Sequence, residues 1–139
     1  MADRIHLQVV TAGGVVFDRM VHVVNLPLES GSAGVLADHA PLMAAVTDGV
    51  VTCESETEGF GAVAVGIGVV NVVNNEVTVL VRAAEPGEDV DVARAEAAEK
   101  RARERLAQKN AELDVSRAEA ALHRAIARQK AAHMVKKHR

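Results

Sequence analysis

Tryptophan and tyrosine are absent from this chain of 139 residues, and Phe17 and Phe60 are its only aromatics. Valine and alanine must fill the core. Each such site buries little apolar surface, so the packing has to be dense. Cys53 is the single cysteine, which excludes a disulfide framework and a cysteine-based zinc site and suits a reducing compartment. Long apolar runs are also missing. The most apolar stretch, Gly61 to Val70, is half of the ~20 residues a membrane helix needs, and its valines and glycines favour a buried strand. The opening MADRIHLQVV has neither a long apolar segment nor a small-residue cleavage site and does not read as a signal peptide. Any membrane link is expected to run through a partner.

Signatures of chemistry are equally scarce. The six histidines are His6, His22, His39, His123, His133 and His138. None lies in H-E-x-x-H or another metal-binding spacing. There is no G-x-x-x-x-G-K-[ST] phosphate loop and no G-x-S-x-G context. Asp38 and His39 are neighbours, so on extended chain their side chains diverge. A catalytic pair there would need a third group and a nucleophile, and the sequence supplies neither. Cys53 sits in a valine-rich strand and reads as a small buried apolar residue.

What the chain does have is a division. Residues 1–87 carry three basic groups (Arg4, Arg19, Arg82) against ten acids, net −7; residues 88–139 carry thirteen against nine, net +4. No lysine precedes Lys100. Such asymmetry argues for two parts with different surroundings. In the first part, short valine-rich runs at His6–Thr11, Met20–Leu26, Val50–Cys53, Ala62–Val65 and Val69–Val73 alternate with turn residues. Gly13-Gly14 and Asn74-Asn75 are turn signals, the latter between VNVV and EVTVL. This pattern predicts an antiparallel β-sandwich or barrel over residues 1–85. Its expected core includes Val9, Val23, Leu36, Val46, Val65, Val70, Val79 and Val81.

Pro86-Gly87 interrupts strand and helix alike, and composition then shifts to Ala, Arg, Glu and Lys. Residues 86–139 predict an antiparallel two-helix hairpin. Asp89 or Asp91 caps the first helix, which runs from Val92 to about Lys109; the chain turns around Asn110; Asp114 caps a second helix running to about Lys136. The first helix offers Ala95, Ala98, Ala102 and Leu106. The second offers Val115, Ala118, Leu122, Ala125, Ala132 and Val135, interrupted by Gln129. A buried methylene is worth roughly 0.8 kcal/mol, so an alanine seam holds weakly, while intrinsic propensity keeps each helix intact. That combination suits a movable arm; a static hairpin packed on the sandwich fits the composition equally.

Residues 117–139 carry seven basic groups against one acid, Glu119. The excess predicts an acidic partner. With no aromatic for base stacking and a pI near 6.1, an acidic protein fits better than nucleic acid.

Several motifs together resemble one family. HLQVVTAGGVVF, the stretch Gly31 to Leu42 (GSAGVLADHAPL), Val90-Asp91-Val92-Ala93-Arg94-Ala95 and AEAALHRAIAR at Ala118–Arg128 occur in the order and spacing of the epsilon subunit of bacterial F-type ATP synthases. The resemblance implies a β-sandwich followed by a helical hairpin. It also implies a non-catalytic central-stalk subunit, peripheral on the cytoplasmic face of the bacterial plasma membrane. That subunit would bind the gamma subunit, rest on the membrane c-ring and restrain ATP hydrolysis by the catalytic beta subunit. On this resemblance Glu29–Leu42 is a docking loop with Ser32, Asp38 and His39 at the c-ring, and Arg117, Arg124 and Lys130 contact the beta subunit. No cofactor is required, but some members bind regulatory ATP; the matching positions are Glu85, Asp91, Arg94, Ala95, Arg101, Arg124 and Arg128. Ordinary capping by Asp91 and solvated arginines are the alternative for those residues. Departures are Asp38 where the family often has glycine, Ser32 where it often has an acid, and Asn71 where it has glutamate. A reading of another class is a free-standing sandwich whose basic arm binds an acidic protein or nucleic acid. A third, a hydrolase at Asp38-His39, would require activity lost on His39→Ala.

Overall fold

Alternation in IHLQVVT makes the first strand, β1 (Ile5–Thr11): Ile5, Leu7 and Val9 are fully buried, while His6, Gln8 and Val10 lie on the other face. The computed structural model describes residues 2–108 and 112–138. Nine further strands follow: β2 (Gly14–Val21), β3 (Val23–Leu28), β4 (Gly31–Leu36), β5 (Leu42–Val46), β6 (Gly49–Ser55), β7 (Gly59–Val65), β8 (Gly68–Val73), β9 (Glu76–Val81) and β10 (Ala84–Pro86). They hydrogen-bond in the order β10-β7-β6-β3-β5-β8-β9-β1-β2, with β4 attached to β3. Pairing is antiparallel except between β1 and β9. The sheet folds over so that β2 meets β6 and β10, and one valine- and leucine-rich cluster fills the interior.

Turn chemistry sets the register. Asn74 and Asn75 have φ of 50° and 63°, the left-handed pair a tight hairpin needs, and join β8 to β9 with Val73 opposite Glu76. A methyl on Gly68 would run into the backbone of Leu80 and Val81, so only glycine lets those strands approach there.

Of the expected core, Val9, Val46, Val65, Val70, Val79 and Val81 are buried, but Val23 is half-buried and Leu36 is 51% exposed. The two misplaced residues are cross-strand partners. The inward pair one step on is Val24 with Val35, and a one-residue change of phase flips a side chain to the other face. Met20–Leu26 is not one strand. The chain bends at His22, where it crosses from β2 to β3 and its N–H donates to the Glu54 carbonyl, 2.9 Å. Glu29–Leu42 is not wholly loop either: Gly31–Leu36 forms β4, paired along its length with β3.

After β10 a 3-10 turn (Gly87–Asp89) leads to α1 (Val92–Gln108), and α2 (Glu112–Lys137) returns. Asp91 caps α1, its Oδ1 accepting from the Arg94 N–H at 3.2 Å. Asp114 does not cap α2. The helix already starts at Glu112, and Asp114 stands in its first turn, where an acid suits the dipole. The expected turn around Asn110 lies outside the described residues. Ala95 and Ala102 of α1 and Ala118 and Ala125 of α2 are buried in the hairpin. Gln129, the break in the stripe, ties the helices: its Nε2 donates to Glu99 Oε1 at 2.7 Å, and Arg103 holds the other Glu99 oxygen at 2.8 Å.

A second face of α2 packs on the sandwich, Ala127, Ala131 and Val135 against Ala62 and Ala64 of β7. Two further contacts pin it. A methyl on Gly87 would lie 2.6 Å from the Ala131 carbonyl oxygen and 2.9 Å from Val135 Cγ2, so helix and turn meet backbone to backbone. At the helix end the His138 ring stacks on Phe60, centroids 3.9 Å apart and 12° from parallel. Among the described residues no helix is long and apolar enough to cross a membrane.

Candidate functional site

Where the hairpin meets the end of the sheet, a cleft of about 480 Å³ opens. Glu85 reaches it from edge strand β10, Asp89 from the 3-10 turn and Asp91 from the α1 cap. Arg94 and Arg101 are two turns apart and share one face of α1, with Ala97 and Ala98 between them and Ala95 beside them. Arg128 projects from α2. Its Nε lies 3.6 Å from Glu85 Oε1, both side chains about 40% exposed. Three guanidiniums and three carboxylates thus surround a floor of alanine methyls. The size suits a small molecule; the arginine forks suit phosphate oxygens; the methyls suit a flat apolar ring.

The structure gathers here six of the seven residues matched to regulatory ATP: Glu85, Asp91, Arg94, Ala95, Arg101 and Arg128. The seventh, Arg124, lines the adjoining throat of about 140 Å³ with Glu85 and Arg128. Asp91 also performs the capping foreseen as its alternative role. Nothing in the sequence marks Asp89, Ala97 and Ala98 as lining residues, because the lining depends on how the hairpin docks.

Arg117, Arg124 and Lys130 do not form one patch. Arg117 and Arg124 are seven apart and share a helix face; Lys130 lies about a third of a turn away. All three are exposed. Arg117 lines a separate pocket near the hairpin tip with Arg105, Gln108 and Asp114.

At the remote end of the sandwich, Asp38 adopts φ 64°, the left-handed conformation that explains why glycine suits this position. Its carboxylate binds Arg4 at 3.1 and 3.2 Å, and Asn75 clasps it: the Asp38 N–H donates to Asn75 Oδ1 at 2.6 Å, and Asn75 Nδ2 donates back at 3.2 Å. His39 turns away, with Nδ1 donating to the Ala40 carbonyl at 2.6 Å. The two side chains engage different partners, and among the described residues no nucleophile lines their cleft. Asp38, His39, Pro41, Asn74 and Asn75 line a shallow cleft of about 280 Å³. Ser32 is exposed at the opposite end of β4, opposite Pro27, so the three residues bracket that strand rather than cluster.

Cys53 is buried, which pushes its thiol up to about 11, the chemistry of a core residue rather than a nucleophile. Among the described residues no three His, Cys, Asp or Glu side chains stand together to hold a metal.

Comparison with known proteins agrees with both halves. Residues 4–87 match the family model "ATP synthase, Delta/Epsilon chain, beta-sandwich domain", and residues 88–133 match "ATP synthase, Delta/Epsilon chain, long alpha-helix domain". The ATP synthase epsilon chain of Pelotomaculum thermopropionicum is 46% identical over 108 residues, 77% of this chain and 80% of the relative. That of Carboxydothermus hydrogenoformans is 46% identical over 109 residues, 77% and 79% respectively. A chain of the Euglena gracilis mitochondrial ATP synthase superposes with a TM-score of 0.80 at 21% identity, over 96% of this chain and 84% of that one, a likeness of fold.

Proposed function

The chain belongs to the delta/epsilon family of ATP synthase subunits, and on that premise we propose that it is a non-catalytic rotor subunit of the central stalk. It couples proton translocation to ATP synthesis and restrains ATP hydrolysis through its C-terminal helices.

One observation carries the regulatory part. The helical hairpin sits on the sandwich through Ala127, Ala131 and Val135 against Ala62 and Ala64, and the sandwich has a separate core to which no helical residue contributes. Lifting the arm uncovers small apolar patches and leaves the main core intact. Arg124 takes part in both poses. With the arm down it lines the throat beside Arg128; with the arm raised, Arg117, Arg124 and Lys130 reach an acidic segment of the catalytic beta subunit. ATP in the cleft would bind Arg94, Arg101, Arg124 and Arg128 through its phosphates, while Asp91 accepts from the adenine amino group. ATP therefore holds the arm down and withdraws these arginines from the brake. The nucleotide is bound, not hydrolysed: of the carboxylates in the cleft, Glu85 pairs with Arg128 and Asp91 caps α1.

The outer sheet face supplies a second surface. Ala45, Val69, Leu80, Val10 and Val15 are successive cross-strand partners over β5, β8, β9, β1 and β2. Val69, Leu80 and Val15 are 46%, 50% and 56% exposed. A continuous apolar row of this kind is a protein-docking surface, and the gamma subunit is its occupant. Ser32, Asp38 and His39 face the c-ring, which holds the subunit at the cytoplasmic face of the bacterial plasma membrane.

Isothermal titration of the chain with ATP tests the nucleotide part: heat with one-to-one stoichiometry supports it, and no binding at millimolar ATP removes it. Deleting residues 88–139 tests the brake. Hydrolysis by the assembled complex rises if the arm restrains it and stays unchanged if it does not.

A further inference from the structure

We propose that Arg82 extends the nucleotide site and reads the number of phosphates; this rests on the ATP reading above. The throat shares Glu85 and Arg128 with the nucleotide cleft. On its other side it shares Gly66, Ala83 and Arg124 with a further cleft of about 420 Å³, which Asp48, Ile67, Arg82 and Ala120 complete. The three spaces form one trough along the seam between α2 and the sandwich. Five of the nine residues that line the passage, Ala64, Gly66, Ala83, Ala84 and Ala127, carry nothing larger than a methyl, which helps keep it open beside Val65, Glu85 and the two arginines.

Positive charge runs along the trough in order: Arg101 and Arg94, then Arg128, Arg124 and Arg82. Arg124 lies one turn from Arg128, about 6 Å along the axis, a spacing on the scale of neighbouring phosphates. Glu85 already offsets Arg128, and Asp48 opposes an anion in the outer cleft. Arg124 alone would merely balance Asp48. Arg82 makes the outer cleft net positive. Its backbone is fixed, with its N–H donating to the Ile67 carbonyl at 3.0 Å, while its side chain is exposed and forms no ion pair among the described residues. A monophosphate seated at Arg101 and Arg128 would not extend to Arg82; the terminal phosphate of a triphosphate would.

The test is titration of the full chain with AMP, ADP, ATP and inorganic tripolyphosphate, for wild type, Arg82→Ala and Arg82→Lys. One charge-assisted contact predicts that Arg82→Ala lowers the preference for ATP over ADP about tenfold. AMP binding is unchanged, and Arg82→Lys restores part of the loss. Tripolyphosphate weakens in parallel with ATP. An unaltered ATP-to-ADP ratio in a variant chain that still binds ATP overturns the role of Arg82 and leaves the nucleotide site standing. An equal loss for AMP, ADP and ATP also overturns it, since that is what a distorted site would show. A wild-type chain that binds no nucleotide overturns both readings.

Discussion

Gly87→Ala probes the joint between sandwich and arm. Gly87 is not in the left-handed region, so alanine fits its backbone, and the loss of unfolded-state freedom would alone stabilise by about 0.4–1 kcal/mol. The new methyl, however, would stand 2.6 Å and 2.9 Å from the Ala131 carbonyl oxygen and carbon and 2.9 Å from Val135 Cγ2. Two of these three atoms are backbone and cannot rotate aside, so relief requires moving α2. Overpacking of this kind costs typically 1–3 kcal/mol, which exceeds the entropic gain over most of that range. The net effect is a shift of up to roughly 70-fold toward the undocked arm at about 1.4 kcal/mol per tenfold. Hydrogen exchange reads it residue by residue. Amides of Ala127–Val135 should exchange faster in Gly87→Ala, while those of β1 and β9 stay protected, because their core contains no helical residue. Unchanged exchange across α2 would refute the inference that the arm rests on this close approach.

Two other predictions follow from named contacts. Phe60→Ala removes the platform for His138; a stacked pair is worth about 0.5–1.5 kcal/mol, so the last turns of α2 should exchange several-fold faster, whereas His138→Phe should keep wild-type protection. His6 is flanked by Asp18 at 2.7 Å and Glu76 at 2.9 Å, and Asp18 foremost raises its pKa above 6.5. A raised folded pKa gives stability that is complete below 6.5 and lost as pH rises through the folded value. The partners are half exposed, so the change is at most about 1 kcal/mol, and denaturation midpoints of His6→Gln should lack that alkaline decline.

The two periodicities made the architecture legible from the sequence, since two-residue alternation and alanine-rich helical stripes leave few alternatives. The misreadings cluster where local preference and tertiary pairing disagree. Gly31, Ser32, Ala33 and Gly34 have poor strand propensity, yet pairing with Leu28, Pro27, Leu26 and Asn25 makes them part of β4. Val23 and Leu36, expected inside, face outward because adjacent apolar residues, Val23-Val24 and Val35-Leu36, do not declare which of them points inward. The stripe Ala127, Ala131 and Val135 has helical spacing but is hidden among alanines that face α1, so α2 is apolar on two sides and reads as weakly patterned. For the cleft, identities matched through family motifs fell together around one space. Asp89, Ala97 and Ala98, which line the same cleft, carry no mark in the sequence because their neighbourhood is created by docking, not by spacing along the chain.

A cysteine pair at Ala64 and Ala131, both in the contact between β7 and α2, would lock the arm down by a reversible disulfide, with native Cys53 buried out of reach. The rate of ATP hydrolysis by the assembled complex carrying this pair is the decisive quantity. A releasable brake predicts that oxidation speeds hydrolysis to the level of a complex lacking residues 88–139, and that reduction slows it again. Equal rates in the oxidised and reduced complexes would contradict the account.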